Sequence, residues 1–235
     1  GVNAFGKKNF VGTFAPPFAV LNDSRFLETL SRRDKISGIA EAVKVALIRD
    51  AVFFEWLSEH APLLAAGESD ALERLIRRTA ELHLEHIATA GDPFELGSAR
   101  PLDFGHWAAH KLESLTKNRL RHGEAVAIGM ALDTIYSAAA GICDRGTAES
   151  VLGTFHRLGL RVWDEALTWT APDGRSLLIA GLHEFREHLG GELTITLLQQ
   201  IGQGVEVHEI REALLHQAIE QLRRHEVASA NVSGR

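Results

Sequence analysis

Hydrophobic side chains recur at helical spacing along most of this chain. Ile39, Val43 and Leu47 lie four positions apart, which places them on one face of an α-helix and predicts a helix over about residues 32–49. Similar patterns predict further helices over about residues 50–60, 123–140, 146–158 and 207–224, and one around His106 and His110. Asp70 and Glu73 resemble a capping box, which predicts that another helix begins at Asp70.

The first 24 residues and one late segment have a β-type pattern instead. Glycine and proline interrupt residues 1–24, which leaves the short β-type runs Phe10-Val11 and Phe18 to Leu21. Residues 193–197 alternate and predict one short strand, whereas the glycines and prolines of residues 91–102 predict a loop. The pattern therefore predicts a mainly α fold with a few N-terminal strands.

Composition narrows the class of protein. The chain has 235 residues, of which 45% are hydrophobic, and a formal net charge of −6 without a long basic block. This argues against nucleic acid as a partner, because phosphate binding needs clustered lysine and arginine. No apolar run approaches the ~18 residues that a membrane span needs. The single cysteine, Cys143, excludes an intramolecular disulfide and suits a reducing cytoplasm, so we expect a cytoplasmic protein.

The histidines are the first candidate chemistry. Three of the 12 histidines, His106, His110 and His122, fall within 17 residues, and the first two share a helix face because they lie one turn apart. A short antiparallel connection would return His122 beside His106, and Gly105 and Gly123 permit a close approach of backbone or ligand. Neutral imidazoles and a carboxylate bind zinc-type ions and leave a position open for an oxygen-rich small molecule. Ordinary surface or core histidines are the alternative.

Two pairs of polar residues are further candidates. Glu41 and Lys44 lie three positions apart on an otherwise apolar helix. They form either a solvated ion pair, which this segment alone favours, or a pair that faces a shared polar cavity. Lys8 and Asn9 lie in a glycine-bracketed turn, and a lysine charge beside an amide donor suits a phosphate. An exposed basic turn is the alternative, and it is the better interpretation of that turn taken by itself.

Four motifs follow one another along the chain: Lys8-Asn9-x-x-Gly12, Gly38-Ile39-Ala40-Glu41-Ala42-Val43-Lys44, Phe104-Gly105-His106-x-x-x-His110 and His122-Gly123-Glu124-Ala125-Val126-Ala127-x-Gly129-Met130. In this order they resemble the 3-dehydroquinate synthase family, the NAD- and zinc-dependent sugar-phosphate cyclases. The resemblance covers about residues 1–140 and continues more weakly to about residue 204. It implies a carbon–oxygen lyase whose cofactors are NAD and a divalent metal, zinc or cobalt.

The resemblance also implies roles for individual residues. By their positions in the motifs, the metal ligands are Glu41, His106 and His122. Lys44 would stabilise oxyanion charge, and His110 would assist proton transfer. The positions that would contact the substrate are Lys8, Asn9, Glu95, Arg100, Asp103 and Arg186.

The same resemblance implies a domain organisation. The family combines an N-terminal α/β NAD-binding domain with a helical metal-binding domain. Residues 1–24 are then the end of the first domain, residues 25–225 the second, and residues 226–235 a flexible tail. The chain begins at Gly1 without an initiator methionine or a signal-peptide pattern, and no G-x-G-x-x-G segment opens a helix. We therefore expect a fragment that lacks most of the NAD site and is inactive alone.

Departures from the family pattern concern the substrate. His83 stands where the family has a lysine, Ala99 stands where it has an arginine, and Arg100 is displaced by one position. Asp103 replaces an asparagine, and Arg186 aligns loosely with a late lysine. The first lysine and the arginine would hold a substrate carboxylate. Two substrates stay open: 3-deoxy-arabino-heptulosonate 7-phosphate, which yields 3-dehydroquinate in the shikimate pathway, and a keto-sugar phosphate without a carboxylate, such as sedoheptulose 7-phosphate.

The implied reaction begins when NAD⁺ transiently oxidises a ring hydroxyl. Phosphate is then eliminated, the ketone is reduced again, the ring opens, and an aldol step closes the carbocycle. The expected partners are a small sugar phosphate and a second copy of the chain, because homodimers are common in this family. Two other classes stay open: a metal-dependent polyol dehydrogenase, and a non-catalytic homologue or helical interaction module.

Overall fold

The structure, a computed structural model, describes residues 2–4, 7–12, 18–89, 100–188 and 193–233. The described residues form nine α-helices and two antiparallel β-hairpins. The helices are α1 (Arg32–Arg49), α2 (Ala51–Glu59), α3 (Ala61–Ala66), α4 (Ser69–Thr89), α5 (His106–Leu115), α6 (His122–Ala139), α7 (Arg145–Leu158), α8 (Leu177–His188) and α9 (Glu212–Ser233). The strands are β1 (Val2–Ala4), β2 (Lys7–Val11), β3 (Ile195–Gln200) and β4 (Gln203–Val207), and short 3-10 helices span Ser24–Thr29, Arg100–Asp103 and Glu165–Thr168.

The helix α6 is the centre of the fold. Its residues are buried from Gly123 to Ser137 except for Glu124, and a helix that is apolar all round has to be covered on every side. The helices α1, α5, α7 and α9 and the strand β3 provide that cover. Among the described residues, no helix combines the length and the apolar content that a membrane span requires.

Side-chain caps set the beginnings of α1 and α2. The hydroxyl of Ser31 accepts a hydrogen bond from the Asp34 N–H at 3.2 Å. Asp50 accepts one from the Phe53 N–H at 2.9 Å and also pairs with Arg78 on α4 at 2.5 Å. Each cap satisfies a backbone donor that the first turn of a helix leaves unpaired. The link between Asp50 and Arg78 also ties α2 to α4.

Most of the helices predicted from hydrophobic spacing are confirmed. The helices expected over about residues 32–49, 50–60, 123–140 and 146–158 are α1, α2, α6 and α7, and the helix around His106 and His110 is α5. The helix expected to open at Asp70 begins one residue earlier, at Ser69. The mainly α fold class is therefore confirmed.

Three element predictions need correction. Phe18 to Leu21 form no strand, because among the described residues no neighbouring strand pairs with them. The late strand is one arm of a hairpin, whose second arm, β4, the pattern missed. The helix expected over residues 207–224 begins at Glu212, because Gln203–Val207 pair with β3, and it extends to Ser233. Residues 226–233 of the expected tail therefore lie in a helix, and the flexibility of that tail stays a prediction. Two alanines in that stretch favour the helix.

Candidate metal centre

Three helices bring the predicted metal ligands together. Glu41 lies in the middle of α1, His106 is the first residue of α5, and His122 is the first residue of α6. Each offers one ligand atom, and these atoms all lie within 4.8 Å of one another. Within the described part of the chain, this is the one group of three histidine, cysteine or acidic residues with such a spacing.

The geometry around Glu41 fits a cation. Its Oε1 atom lies 3.2 Å from Nε2 of His122 and 3.8 Å from Nε2 of His106. Two ligands of a tetrahedral zinc, each about 2.05 Å from the ion, would lie about 3.3 Å apart. The same oxygen is buried and makes no hydrogen bond, which costs free energy unless something else compensates its charge. A divalent ion bound by these three atoms would compensate it.

Lys44 completes this cluster from the adjacent turn of α1. Its Nζ atom lies 2.6 Å from Oε2 of Glu41, and its side chain is only 8% exposed. The two residues are therefore not a solvated surface pair. Burial favours a higher pKa for Glu41, but His122, Lys44 and His106 outweigh it and hold that pKa well below its usual range. Glu41 is consequently ionised, with Oε2 on the lysine and Oε1 directed at the histidines.

His106 is held as a neutral ring. Burial, and then the charge of Lys44, lowers the pKa of His106 to about 3, although Glu41 opposes the shift. Its Nδ1 atom faces the carbonyl oxygen of Phe104 at 3.3 Å. Because a carbonyl oxygen can only accept, Nδ1 carries the proton, and the lone pair of Nε2 is left for a metal.

His110 lies on the open side of the cluster. It is one turn after His106 on α5 and exposed, and its ring centroid is 5.5 Å from that of His106 and 6.2 Å from that of His122. A histidine beside the ligands but open to solvent can meet a bound substrate. Its role in proton transfer stays a prediction.

Two glycines on α6 allow the helices to approach this closely, because each meets the backbone of a neighbouring segment. A Cβ atom at Gly123 would overlap the Ser37 carbonyl oxygen on α1 and would lie 2.7 Å from the carbonyl carbon. A Cβ atom at Gly129 would overlap the carbonyl oxygen of Gly105, which caps α5 with a φ of 78°. The prediction that Gly105 and Gly123 permit a close approach is confirmed, and in both cases the approaching group is backbone.

Ion pairs reinforce the contact between α1 and α6. Arg33 donates two hydrogen bonds of 2.6 Å to the carboxylate of Glu124, and that carboxylate accepts a third from the Arg121 N–H at 2.9 Å. The guanidinium of Arg121 pairs in turn with Asp34 on α1. The bidentate geometry of Arg33 fixes direction as well as distance. These contacts hold the N-terminus of α6, and therefore His122, against α1.

Asp133 supports the other side of the cluster, and the hydrophobic pattern did not single it out. This buried carboxylate on α6 accepts hydrogen bonds from the Gly105 N–H at 3.0 Å and from Nε1 of Trp107 at 2.8 Å. It thereby anchors the backbone of Gly105 and the indole ring of Trp107, the residues on either side of His106. Burial raises the pKa of Asp133 to about 7, although the two hydrogen bonds oppose the shift. Its only sequence signal is an acidic residue in the middle of an apolar helix.

The raised pKa of Asp133 predicts a pH dependence of stability. The folded chain holds a proton on Asp133 up to about pH 7, whereas the unfolded chain releases it near the ordinary value of ~3.9. Between these values the native state binds more protons, so the free energy of unfolding falls as pH rises. In urea unfolding, we expect the free energy of unfolding of the wild type to fall relative to that of Asp133→Asn between about pH 5 and about pH 7.5. A difference between the two free energies that stays constant, or that changes in favour of the wild type, contradicts this prediction.

The remaining predicted residues contribute less to the described site. Asp103 ends the 3-10 helix before α5 and is half-buried, and His83 is exposed on α4. Lys8 lies with Asn9 in β2, Arg100 in the 3-10 helix and Arg186 in α8, but only the backbone of these residues is described. Glu95 lies outside the described residues. Their contacts with a substrate stay predictions.

Comparison with known proteins places this geometry in a family context. Residues 38–174 match a family model described as 3-dehydroquinate synthase C-terminal. A 3-dehydroquinate synthase of Ruegeria pomeroyi is 34% identical over 218 residues, which are 92% of this chain and 58% of the relative. Another from Cereibacter sphaeroides is 37% identical over 205 residues, 86% of this chain and 54% of the relative. The chain thus spans little more than half the length of these relatives.

Solved structures share the fold. ValA, a 2-epi-5-epi-valiolone synthase from Streptomyces hygroscopicus subsp. jinggangensis 5008 with NAD⁺ and Zn²⁺ bound, superposes with a TM-score of 0.81 at 31% identity. The superposition covers 93% of this chain and 59% of ValA. A 2-deoxy-scyllo-inosose synthase superposes with a TM-score of 0.71 at 21% identity over 93% of this chain and 59% of its own. At 21% identity, the similarity to the 2-deoxy-scyllo-inosose synthase is evidence for the fold alone.

Proposed function

Because this chain belongs to the 3-dehydroquinate synthase family, we propose that it is the metal-binding part of a sugar-phosphate cyclase. The protein would use NAD and a divalent metal, zinc or cobalt, to eliminate phosphate from a seven-carbon keto-sugar phosphate and form a carbocycle. The observation that carries the proposal is the buried Oε1 atom of Glu41, which faces the Nε2 atoms of His106 and His122 without a hydrogen bond.

The three ligands would hold the metal, and other residues of the chain would handle charge and protons. A bound divalent ion supplies Lewis-acid polarisation of substrate oxygens. The ammonium of Lys44 holds Oε2 of Glu41 and sets a fixed positive charge beside the place where an oxyanion develops. His110, on the exposed side of α5, can take a proton from the substrate and return it.

The NAD site would lie mostly outside this chain. The related ValA structure holds NAD⁺ together with Zn²⁺, and the chain spans only 54–58% of the relatives described above. We therefore propose that residues 1–24 end an N-terminal NAD-binding domain and that residues 25–225 form the metal-binding domain. The fragment alone is then inactive, and dimer formation stays a prediction.

Two substrates fit this proposal. The relatives named 3-dehydroquinate synthase favour 3-deoxy-arabino-heptulosonate 7-phosphate, which carries a carboxylate. His83 and Ala99 favour a substrate without one, because they occupy positions where the family pattern has a lysine and an arginine. Sedoheptulose 7-phosphate is such a substrate. Replacing a bidentate arginine by alanine removes most of a carboxylate-binding site.

The test is phosphate release by the full-length protein, reconstituted with zinc and NAD⁺ and given each sugar phosphate separately. Release from the heptulosonate supports a 3-dehydroquinate synthase, and release only from sedoheptulose 7-phosphate supports the altered substrate. The control is Glu41→Gln, which should release phosphate from neither. Release from neither by the wild type, with zinc bound, contradicts the cyclase proposal. Net reduction of NAD⁺ by a polyol would then favour a dehydrogenase.

A further inference from the structure

Glu113 lies behind the candidate metal centre, on the side away from Glu41. Its Oε2 atom is 3.0 Å from Nδ1 of His122, and its side chain is only 19% exposed. The other ring nitrogen of His122, Nε2, lies 3.2 Å from Oε1 of Glu41. We propose that Glu113 is a positioning residue, which accepts the Nδ1–H of His122 and thereby leaves Nε2 as a bare lone pair directed at the metal. This inference rests on the metal site of the proposed function.

The fold places Glu113 for this task. It follows His106 by seven residues on α5, and two turns of helix bring positions seven apart to nearly the same face. One face of α5 therefore carries both the ligand His106 and Glu113, which supports the ligand His122 on α6. The packing of α5 against α6 keeps that support at a fixed distance.

The support matters because His122 is the more exposed of the two histidine ligands. Its side chain is 36% exposed, whereas that of His106 is 11% exposed. In a neutral imidazole, the hydrogen bond made by one nitrogen decides which nitrogen keeps the proton. A proton on Nε2 would stand where the metal has to bind, and a carboxylate on Nδ1 prevents this and makes the ring a stronger ligand.

The test compares the zinc affinity of the full-length wild type with that of Glu113→Ala and Glu113→Gln, by competition with a chelator. Loss of a carboxylate that orients a ligating histidine weakens metal binding by about 10–100-fold, and we expect that loss for Glu113→Ala. We expect a smaller loss for Glu113→Gln, because its amide oxygen still accepts from Nδ1. The matched control is Glu184→Ala, which removes the exposed carboxylate that pairs with Lys111 of α5 at 2.6 Å and should leave the zinc affinity unchanged.

A second measurement does not depend on the variants folding. Nitrogen-15 NMR of histidine rings in the metal-free wild type, at a pH where they are neutral, reports which nitrogen of His122 carries the proton. Protonation at Nδ1 supports the proposal, and protonation at Nε2 overturns it. An unchanged zinc affinity in a folded Glu113→Ala variant also overturns the role proposed for Glu113, but it leaves the proposed metal site intact. Failure of the wild type to bind zinc overturns both this inference and the proposed function.

Discussion

Replacing Glu41 by glutamine should weaken zinc binding by more than about 100-fold. Loss of a residue that only hydrogen-bonds to a metal ligand weakens binding by up to about 100-fold, and loss of a ligand itself should cost more. Glutamine keeps the size of the side chain, and its amide oxygen can still accept a hydrogen bond from Lys44. It removes the negative charge that Oε1 directs at His106 and His122. The full-length variant should therefore fold normally, bind zinc poorly in a chelator competition, and release no phosphate from either sugar.

The control for this substitution is Glu55→Gln, on the exposed surface of α2. It makes the same chemical change outside the cluster and should leave the zinc affinity as it is in the wild type. Equal zinc affinities for Glu41→Gln and Glu55→Gln would mean that Glu41 is not a ligand. That result would remove the observation on which the proposed function rests.

The second large effect is expected for Gly123→Ala. The new methyl group would overlap the carbonyl oxygen of Ser37, and because this is backbone on a packed helix it cannot rotate away. Overpacking a core usually costs about 1–3 kcal/mol, and we expect the upper end of that range or more in urea unfolding. Because α1 carries Glu41 and α6 carries His122, separating the two helices should also weaken zinc binding.

Gly38→Ala is the matched control for this prediction. Gly38 lies on α1 next to Ser37, and a Cβ atom there would meet nothing within 4 Å. Alanine in place of an unconstrained helical glycine should stabilise the chain by about 0.5–1 kcal/mol. If Gly123→Ala were as stable as Gly38→Ala and bound zinc as tightly, the close contact between α1 and α6 would not hold in solution.

The elements that the sequence predicted well are those whose local signals agree. Residues 32–49 combine a helical hydrophobic period with a serine cap, and the helix α1 follows those bounds. The helix α3 was missed because its six residues are too few to display a period. The helix α8 and the strand β4 were also missed. For β4 the reason is that strand pairing is a tertiary contact, and exposed residues such as Gln203 and Glu206 gave no strong alternation.

The sequence by itself determined which residues are candidates for the site. The order of the motifs and their resemblance to the family predicted Glu41, His106 and His122 as a ligand set, since the types and the order of residues are properties of the chain alone. The tertiary structure decided what surrounds them: the burial of Lys44, the support of Glu113 behind His122, and the anchor at Asp133. Periodicity tells which face of a helix is buried but not which helix covers it. The contact between Ser37 and Gly123 joins residues far apart in sequence, and only the packing of α1 on α6 creates it.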